Sequence, residues 1–230
     1  MKSEWINIKR SLIVPALFVL LIWAIFVLEE LSGINLRFMA MRPGEIKGLI
    51  GILTSPLLHG DWDHLFSNSV PLLVLGSCFM YFYRQVAWTA GFWLYVLPGL
   101  SLWIMGRNVY HIGASGVVYS FAFFLLLSGF IRKNKSLLAT SFIVTILYGY
   151  LVWGVLPIDP QISWEGHLGG LLSGIILALV YRKQGPEDEK PHHFDDSDLD
   201  DVEPYWEVPD EGVDEEARPI VFRYRYRKNE

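Results

Sequence analysis

Six long apolar runs, separated by short charged stretches, limit the fold of this 230-residue chain more than any other feature. A transmembrane helix needs about 20 predominantly apolar residues, within a range of roughly 17–25. Runs of about that length predict spans over residues 12–28, 65–83, 85–106, 114–131, 136–158 and 166–181. We therefore expect an all-α membrane protein, with a bundle of six transmembrane helices in residues 1–183.

The last 47 residues differ in composition from the rest of the chain. From Gln184 onward the sequence holds 16 of the 24 acidic residues and 6 of the 19 basic ones, which gives this tail a net charge of −10 and the body +5. The tail is rich in Pro and Asp and has few aliphatic residues, so it cannot bury an apolar core. We predict that residues 184–230 form a disordered acidic tail in the cytoplasm.

Basic residues near the span ends predict the orientation, because cytoplasmic loops carry an excess of Lys and Arg. With a cytoplasmic N-terminus, nine basic residues face the cytoplasm and four face the other side: Lys2, Lys9, Arg10, Arg84, Arg132, Lys133, Lys135, Arg182 and Lys183 against Arg37, Arg42, Lys47 and Arg107. Both termini are therefore predicted to be cytoplasmic. Residues 29–63 read as an external loop with short helices that lie against the bilayer.

Four polar residues stand out because they open three different spans. His64 and Asn68 begin the second span, Ser115 lies between small residues at the start of the fourth, and His167 begins the sixth. All three spans descend from the outer face, so the four side chains are expected at a similar depth. Polar groups inside a bilayer are costly and usually mark a functional site, although each alone is also typical of helix-to-helix packing.

The spacing of these residues supports a shared site. Residues four apart lie on one helix face, and three such pairs are present: His64 with Asn68, Ser115 with Tyr119, and Gly170 with Gly174. The glycine pair allows the sixth span to pack closely against a neighbour. A close approach of the fourth and sixth spans is what a hydrogen bond between Ser115 and His167 requires.

These motifs resemble those of the rhomboid family of intramembrane serine proteases over about residues 10–182. The matching elements are Gly113-Ala-Ser115-Gly116 with Tyr119, His167 with Gly170 and Gly174, and His59, His64 and Asn68 leading to Gly76. The resemblance implies a six-span rhomboid-like bundle and a Ser–His dyad. Two features depart from the family: a Trp-Arg pair in the first external loop is absent, and the acidic residue low on the second span is replaced by apolar residues near Met80.

The chemistry expected of these residues is nucleophilic catalysis. Serine is a poor nucleophile until a positioned base takes its proton, and His167 is the candidate base. No acidic residue stands where a third triad member would be needed, which predicts a dyad oriented by Tyr119. His64, Asn68 and the backbone N–H of Ser115 are the candidate oxyanion donors. The close approach of the dyad is expected to depend on small residues at three positions: Gly113, Gly116 and Gly170.

The predicted function is a serine endopeptidase that cleaves transmembrane segments of membrane proteins near the outer face of the plasma (inner) membrane. A non-catalytic rhomboid-like binding or quality-control protein is the alternative, and a small transporter or channel is a third. No cofactor, metal or nucleic-acid partner is expected; the partners are transmembrane substrates and the lipid bilayer. The sequence leaves the oligomeric state open.

Four histidines and one cysteine bear on metal chemistry. Zinc bound by His59, His64, His111 and His167 is disfavoured, since the His-Glu-x-x-His pattern and a nearby carboxylate are both lacking. His59 is predicted to steady its loop through hydrogen bonds, and His111 is predicted to face the surface. The single cysteine, Cys78, excludes an internal disulfide and a thiolate cluster.

Overall fold

The computed structural model describes residues 2–147, 154–159 and 162–186. Within these ranges the chain forms helices, turns and one isolated antiparallel bridge between Met41 and His111, with no strand. The chain divides by packing into Met1–Glu189 and Lys190–Glu230, and every described residue belongs to the first unit. The all-α prediction is therefore confirmed for the described residues, whereas the predicted disorder of the tail falls almost entirely outside them.

Seven α-helices and three short 3₁₀ helices make up the described fold. The α-helices are α1 (Lys2–Ser32), α2 (Gly51–Thr54), α3 (Trp62–Phe82), α4 (Ala87–Met105), α5 (Ser115–Arg132), α6 (Lys135–Leu147) and α7 (Trp164–Val180). The 3₁₀ helices are Arg37–Met39, Ile46–Ile50 and Ser55–Leu57. The short helices between α1 and α3 agree with the helical pieces predicted for this loop.

Four of these helices are long and apolar enough to cross a membrane. They are Trp5–Ser32 within α1, α3, α4 and α5, whose most apolar windows have mean hydropathies between 2.8 and 1.2. Helix α7 has 17 residues and α6 has 13 described residues, so both are shorter. Four helices are thus able to span a membrane by their length and composition, and the total of six spans stays a prediction.

Local sequence explains where several helices begin and end. The Asp61 carboxylate accepts a hydrogen bond from the backbone N–H of His64 at 2.8 Å and caps the start of α3. At the other end of the bundle, Lys133 adopts a left-handed conformation with φ of 51° and ends α5. Asn134 follows at once, and its side chain accepts from the N–H of Leu137 at 3.0 Å. The two-residue link therefore makes α5 and α6 immediate neighbours.

Helix α5 lies at the centre of the bundle, where it packs against α3, α4, α6 and α7. Its buried aromatic residue Phe124 contacts Tyr83 at 4.7 Å and Phe79 at 5.5 Å between ring centroids. Large apolar side chains on the outer helices remain more than half exposed, among them Leu20, Trp88, Ile104 and Ile176. Apolar surface on this scale is expected where helices face lipid rather than water.

Residues 154–159 depart from the sequence-based expectation. The span predicted over 136–158 places them in a helix, but the structure shows turns. In an α-helix the N–H of Ile158 would donate to the carbonyl of Gly154, whereas here it donates to Leu156 at 2.8 Å. Pro157 also disfavours helical geometry at the residue before it. Residues 154–159 therefore lie outside the helical part of this span.

Candidate active site

Ser115 and His167 meet at the ends of two helices. Ser115 is the first residue of α5, and His167 lies in the first turn of α7. The Ser115 Oγ and the His167 Nε2 are 2.8 Å apart, which is hydrogen-bond distance. A serine at a helix N-terminus also lies among backbone N–H groups that have no acceptor within the helix. The two residues that the sequence nominates as nucleophile and base are thus in contact.

Tyr119 lies one helical turn after Ser115 and stacks on the imidazole of His167. The two ring centroids are 4.3 Å apart, and the ring planes differ by 11°. Both residues are buried, with Tyr119 only 1% exposed. The stacked rings restrict the imidazole to one plane, so rotation that would carry Nε2 away from Ser115 is hindered.

Close packing of α5 against α7 brings the two residues together. A methyl group at Gly170 would overlap the carbonyl oxygen of Gly116, and one at Gly174 would lie 2.8 Å from the backbone nitrogen of Phe124. At Gly116 a methyl group would lie 3.2 Å from the carbonyl oxygen of Gly166. The predicted close approach of these two helices is confirmed.

The second nitrogen of the imidazole contacts the main chain. His167 Nδ1 lies 2.8 Å from the carbonyl oxygen of Gly154, in a buried contact. Glu165 lies two residues before His167, and its side chain is 2% exposed, but it pairs with Arg107 through an Oε1–Nε distance of 2.6 Å. The two imidazole nitrogens therefore contact a hydroxyl and a backbone carbonyl, and neither contacts a carboxylate.

His64 and Asn68 line the same cavity as Ser115 and His167. This cavity has a volume of about 580 Å³ and is bounded on one side by the segment 154–159. The Asn68 Nδ2 donates to the backbone carbonyl of His64 at 2.8 Å, and the amide carries a second N–H. The ring of His64 lies against Gly113, where φ is +106° and any side chain would overlap the imidazole. The structure thus brings all four predicted polar residues together.

His111 is buried rather than surface-facing, which makes that prediction wrong. Its Nδ1 lies 2.7 Å from the Ser163 Oγ, and its Nε2 lies 3.0 Å from the carbonyl oxygen of Arg107. Its backbone also pairs with Met41 through two hydrogen bonds of 2.9 and 3.0 Å. His111 therefore ties the loop before α5 to the loop between α1 and α3 and to the start of α7.

His59 is also buried, and the predicted hydrogen bonding of its ring is limited to a weak contact with the backbone of Leu57. Neither imidazole nitrogen makes a hydrogen bond of full geometry among the described residues, and the ring lies 5.0 Å from that of His64. Burial lowers the pKa of His59 to about 3, and the neighbouring charge of His64 adds to this effect. His59 is consequently neutral at physiological pH and acts as an apolar packing residue.

The lowered pKa of His59 predicts that acid destabilises the fold. The unfolded chain binds a proton at this residue below about pH 6.5, whereas the folded chain resists it down to about pH 3. Stability is therefore full above pH 6.5 and falls with pH below it, by about 2 kcal/mol at pH 5 from this residue alone. Thermal unfolding of His59→Leu should lose less stability between pH 7.5 and 5 than the wild type. Equal losses would contradict the prediction.

Comparison with known proteins identifies the family. A family model described as the Rhomboid domain matches residues 47–184, a range that includes the whole cavity. The chain belongs to the rhomboid family. Together with the four apolar helices, the match makes the chain a multi-pass membrane protein.

Proteins from mycobacteria and from a mimivirus have sequences similar to this chain. An uncharacterized protein of Mycobacterium tuberculosis is 36% identical over 175 residues, which is 71% of this chain and 72% of the relative. An uncharacterized protein of Mycobacterium leprae is 31% identical over 175 residues, covering 71% of this chain and 68% of the relative. A putative rhomboid protein of Acanthamoeba polyphaga mimivirus is 25% identical over 143 residues, covering 58% and 75%.

Sequence reasoning missed two contributors to the site. Gly154 contributes a backbone carbonyl, which leaves no sequence signal. Arg42 lies in the loop between α1 and α3, which lacks the family's Trp-Arg pair, and it links that loop to the one before α5. Its guanidinium bonds to the Asn108 side chain at 3.0 Å, pairs with Glu45 and lies 5.1 Å above the Tyr110 ring.

Proposed function

We propose that this rhomboid-family protein is an intramembrane serine endopeptidase that uses a Ser115–His167 dyad. The hydrogen bond of 2.8 Å between the Ser115 Oγ and the His167 Nε2 is the observation that carries the proposal. A serine hydroxyl in contact with a buried imidazole, beside a cavity, has the arrangement that an activated nucleophile requires. The substrates proposed are transmembrane segments of other membrane proteins, and no cofactor takes part.

The reaction follows from the two contacts of the dyad. As Ser115 Oγ bonds to the scissile carbonyl carbon, His167 Nε2 takes the hydroxyl proton. His167 then gives that proton to the leaving nitrogen, the C–N bond breaks and an acyl-enzyme remains. Water attacks the acyl carbon while His167 again takes a proton, and the Ser115 hydroxyl is restored as the carboxyl product leaves. The cavity of about 580 Å³ provides room for the water.

Stabilisation of the oxyanion is assigned to His64, Asn68 and the backbone N–H of Ser115. All three residues line the cavity with His167. Asn68 is 3% exposed, so its amide N–H acts in a region of low dielectric, where a hydrogen bond to a charged oxygen is stronger than in water. Three donors from two helices would surround the carbonyl oxygen that becomes negative in the transition state.

Removal of one oxyanion donor should lower turnover without abolishing it. We expect Asn68→Ala and His64→Ala each to reduce kcat by about 10²–10³-fold, with a smaller change in KM, since these donors act mainly in the transition state. Ser77→Ala is the matched control, because Ser77 also donates to a carbonyl four residues earlier in α3, at 2.6 Å. If Asn68→Ala and Ser77→Ala turned over substrate equally well, the assignment of Asn68 would be wrong.

The membrane orientation is part of the proposal. The excess of basic residues at one set of helix ends supports cytoplasmic termini, and with that orientation Ser115 and His167 would lie toward the outer face of the plasma (inner) membrane. Cleavage is then expected in the outer part of a substrate helix. The helix must first unwind there, so that the scissile peptide group loses its helical hydrogen bonds.

A fluorophosphonate probe tests the proposed activity directly. The purified protein is reconstituted in liposomes and incubated with the probe, whose phosphorus bonds to an activated serine oxygen as fluoride leaves. We expect labelling of the wild type, blocked by heat unfolding, and cleavage of a single-span substrate in the same liposomes. A folded protein that is neither labelled nor active in several lipid compositions would overturn the proposal in favour of a non-catalytic rhomboid-like binding protein.

A further inference from the structure

The nitrogen of His167 that faces away from Ser115 needs a hydrogen-bond acceptor. If Nε2 is to accept the Ser115 proton, the neutral imidazole must carry its own hydrogen on Nδ1. The Gly154 carbonyl lies 2.8 Å from Nδ1 in a buried contact. We propose that Gly154 is a positioning residue whose main-chain carbonyl holds His167 in the Nδ1–H tautomer. This inference rests on the proposed function and gives the carbonyl the role that a carboxylate has in a Ser-His-Asp triad.

Glu165, the acidic residue closest to His167 in the sequence of α7, does not contact the imidazole Nδ1 but pairs with Arg107. Its Oε1 pairs with the Arg107 Nε at 2.6 Å and also accepts from the Arg107 backbone N–H at 3.3 Å. A second buried carboxylate at the Nδ1 would need its own cation, since an unpaired charge in a membrane interior is costly. A neutral carbonyl orients the imidazole without that requirement.

The backbone at Gly154 is shaped for this contact. Its carbonyl is released from helical bonding, because the N–H of Ile158 donates to Leu156 instead. A side chain at residue 154 would overlap the Tyr119 hydroxyl and lie 2.8 Å from the His167 Nδ1. Only glycine therefore lets the main chain approach the imidazole and Tyr119 at the same time.

An amide-to-ester replacement tests the carbonyl without changing a side chain at the site. Incorporation of the α-hydroxy acid of valine at position 155 turns the Gly154 carbonyl into an ester carbonyl, which is a weaker acceptor. We expect kcat to fall by about 3- to 10-fold with KM unchanged. The same replacement at Ile34 turns the Gly33 carbonyl, in the loop after α1, into an ester and leaves that of Gly154 an amide, so it serves as the matched control with wild-type kcat.

Nitrogen NMR of the histidine side chains supplies a readout that needs no turnover. In protein labelled with ¹⁵N-histidine, the His167 signals are assigned by their loss in His167→Ala. At pH 8 we expect a protonated Nδ1 and an unprotonated Nε2, and an upfield shift of the Nδ1 proton in the ester variant. A purely structural role for Gly154 would leave both signals unmoved.

The Gly154→Ala variant provides a second test of the proposed role of Gly154. We expect more than a 100-fold loss of kcat, because the methyl group displaces the imidazole or the carbonyl. Gly91→Ala is its control, since a methyl group there meets the Phe79 ring at an ordinary 3.4 Å.

The outcomes separate this inference from the proposed function. If the wild type is active but His167 is protonated on Nε2, or if the ester variant keeps both its kcat and its Nδ1 signal, the role of Gly154 is overturned and the dyad stands. If the wild type shows no activity or labelling, the proposed function fails, and the Nδ1 signal still decides whether Gly154 holds the imidazole.

Discussion

Ser115→Ala is expected to abolish both fluorophosphonate labelling and cleavage of single-span substrates. The variant removes the hydroxyl that lies 2.8 Å from the imidazole and leaves no group at that position to form the acyl-enzyme. Loss of a catalytic serine or histidine in a serine protease lowers kcat by about 10⁶-fold, so activity should fall to background. His167→Ala should have the same effect, because the serine then has no base.

A variant with both substitutions tests whether Ser115 and His167 act as one unit. Residues that act as one unit are strongly non-additive, so Ser115→Ala combined with His167→Ala should be no less active than either single variant. The control is Ser120→Ala, on the same helix, which removes a buried hydrogen bond to the carbonyl of Leu94 at 2.6 Å. It should lower stability by about 1 kcal/mol while activity stays within a few-fold of wild type. Labelling that survives in Ser115→Ala would place the nucleophile elsewhere.

Gly170→Ala is expected to damage both the fold and the site. Its methyl group would overlap the Gly116 carbonyl oxygen and lie 2.9 Å from the Tyr119 Cβ. Backbone atoms on the opposite helix cannot rotate away, so α5 and α7 must separate. Overpacking of this kind costs about 1–3 kcal/mol, and displacement of a catalytic group by about 1 Å can cost 10²-fold in rate.

Thermal unfolding and labelling rate should therefore both change in Gly170→Ala. The same substitution at Gly91 is the control, since that methyl group meets only the Phe79 ring at 3.4 Å, and we expect near-wild-type behaviour. Normal labelling in a Gly170→Ala protein would show that the contact between the two helices can relax without moving His167 away from Ser115.

The sequence was a good guide to features that depend on composition and periodicity. Apolar length predicted the helices α1, α3, α4 and α5, because the bilayer sets the number of residues needed to cross it. Small residues four apart predicted the close packing of α5 on α7, since backbone proximity requires small side chains at fixed helical spacing. That packing is also what places Ser115 beside His167.

The sequence was a poor guide to features that depend on long-range polar contacts. His111 looked solvent-facing because it lies in a loop, but its partners Met41 and Ser163 are far away in the chain and are brought together only by folding. Gly154 gave no signal because its contribution is a carbonyl, which every residue type possesses. The turn at residues 154–159 was not predicted for a related reason: an apolar run with one Pro and two Gly does not reveal where helical bonding stops.

The glycine contact between α5 and α7 has an entropic consequence. Because the two backbones touch at Gly116 and Gly170, no flexible side chain lies between the elements that carry Ser115 and His167. The conformational entropy lost in bringing Ser115 and His167 together is therefore lost once, when the helices pack during folding. It is not lost again each time a substrate binds. Any widening of the cavity must then come from its other walls, which are α3, the loop before α5 and the segments before α7.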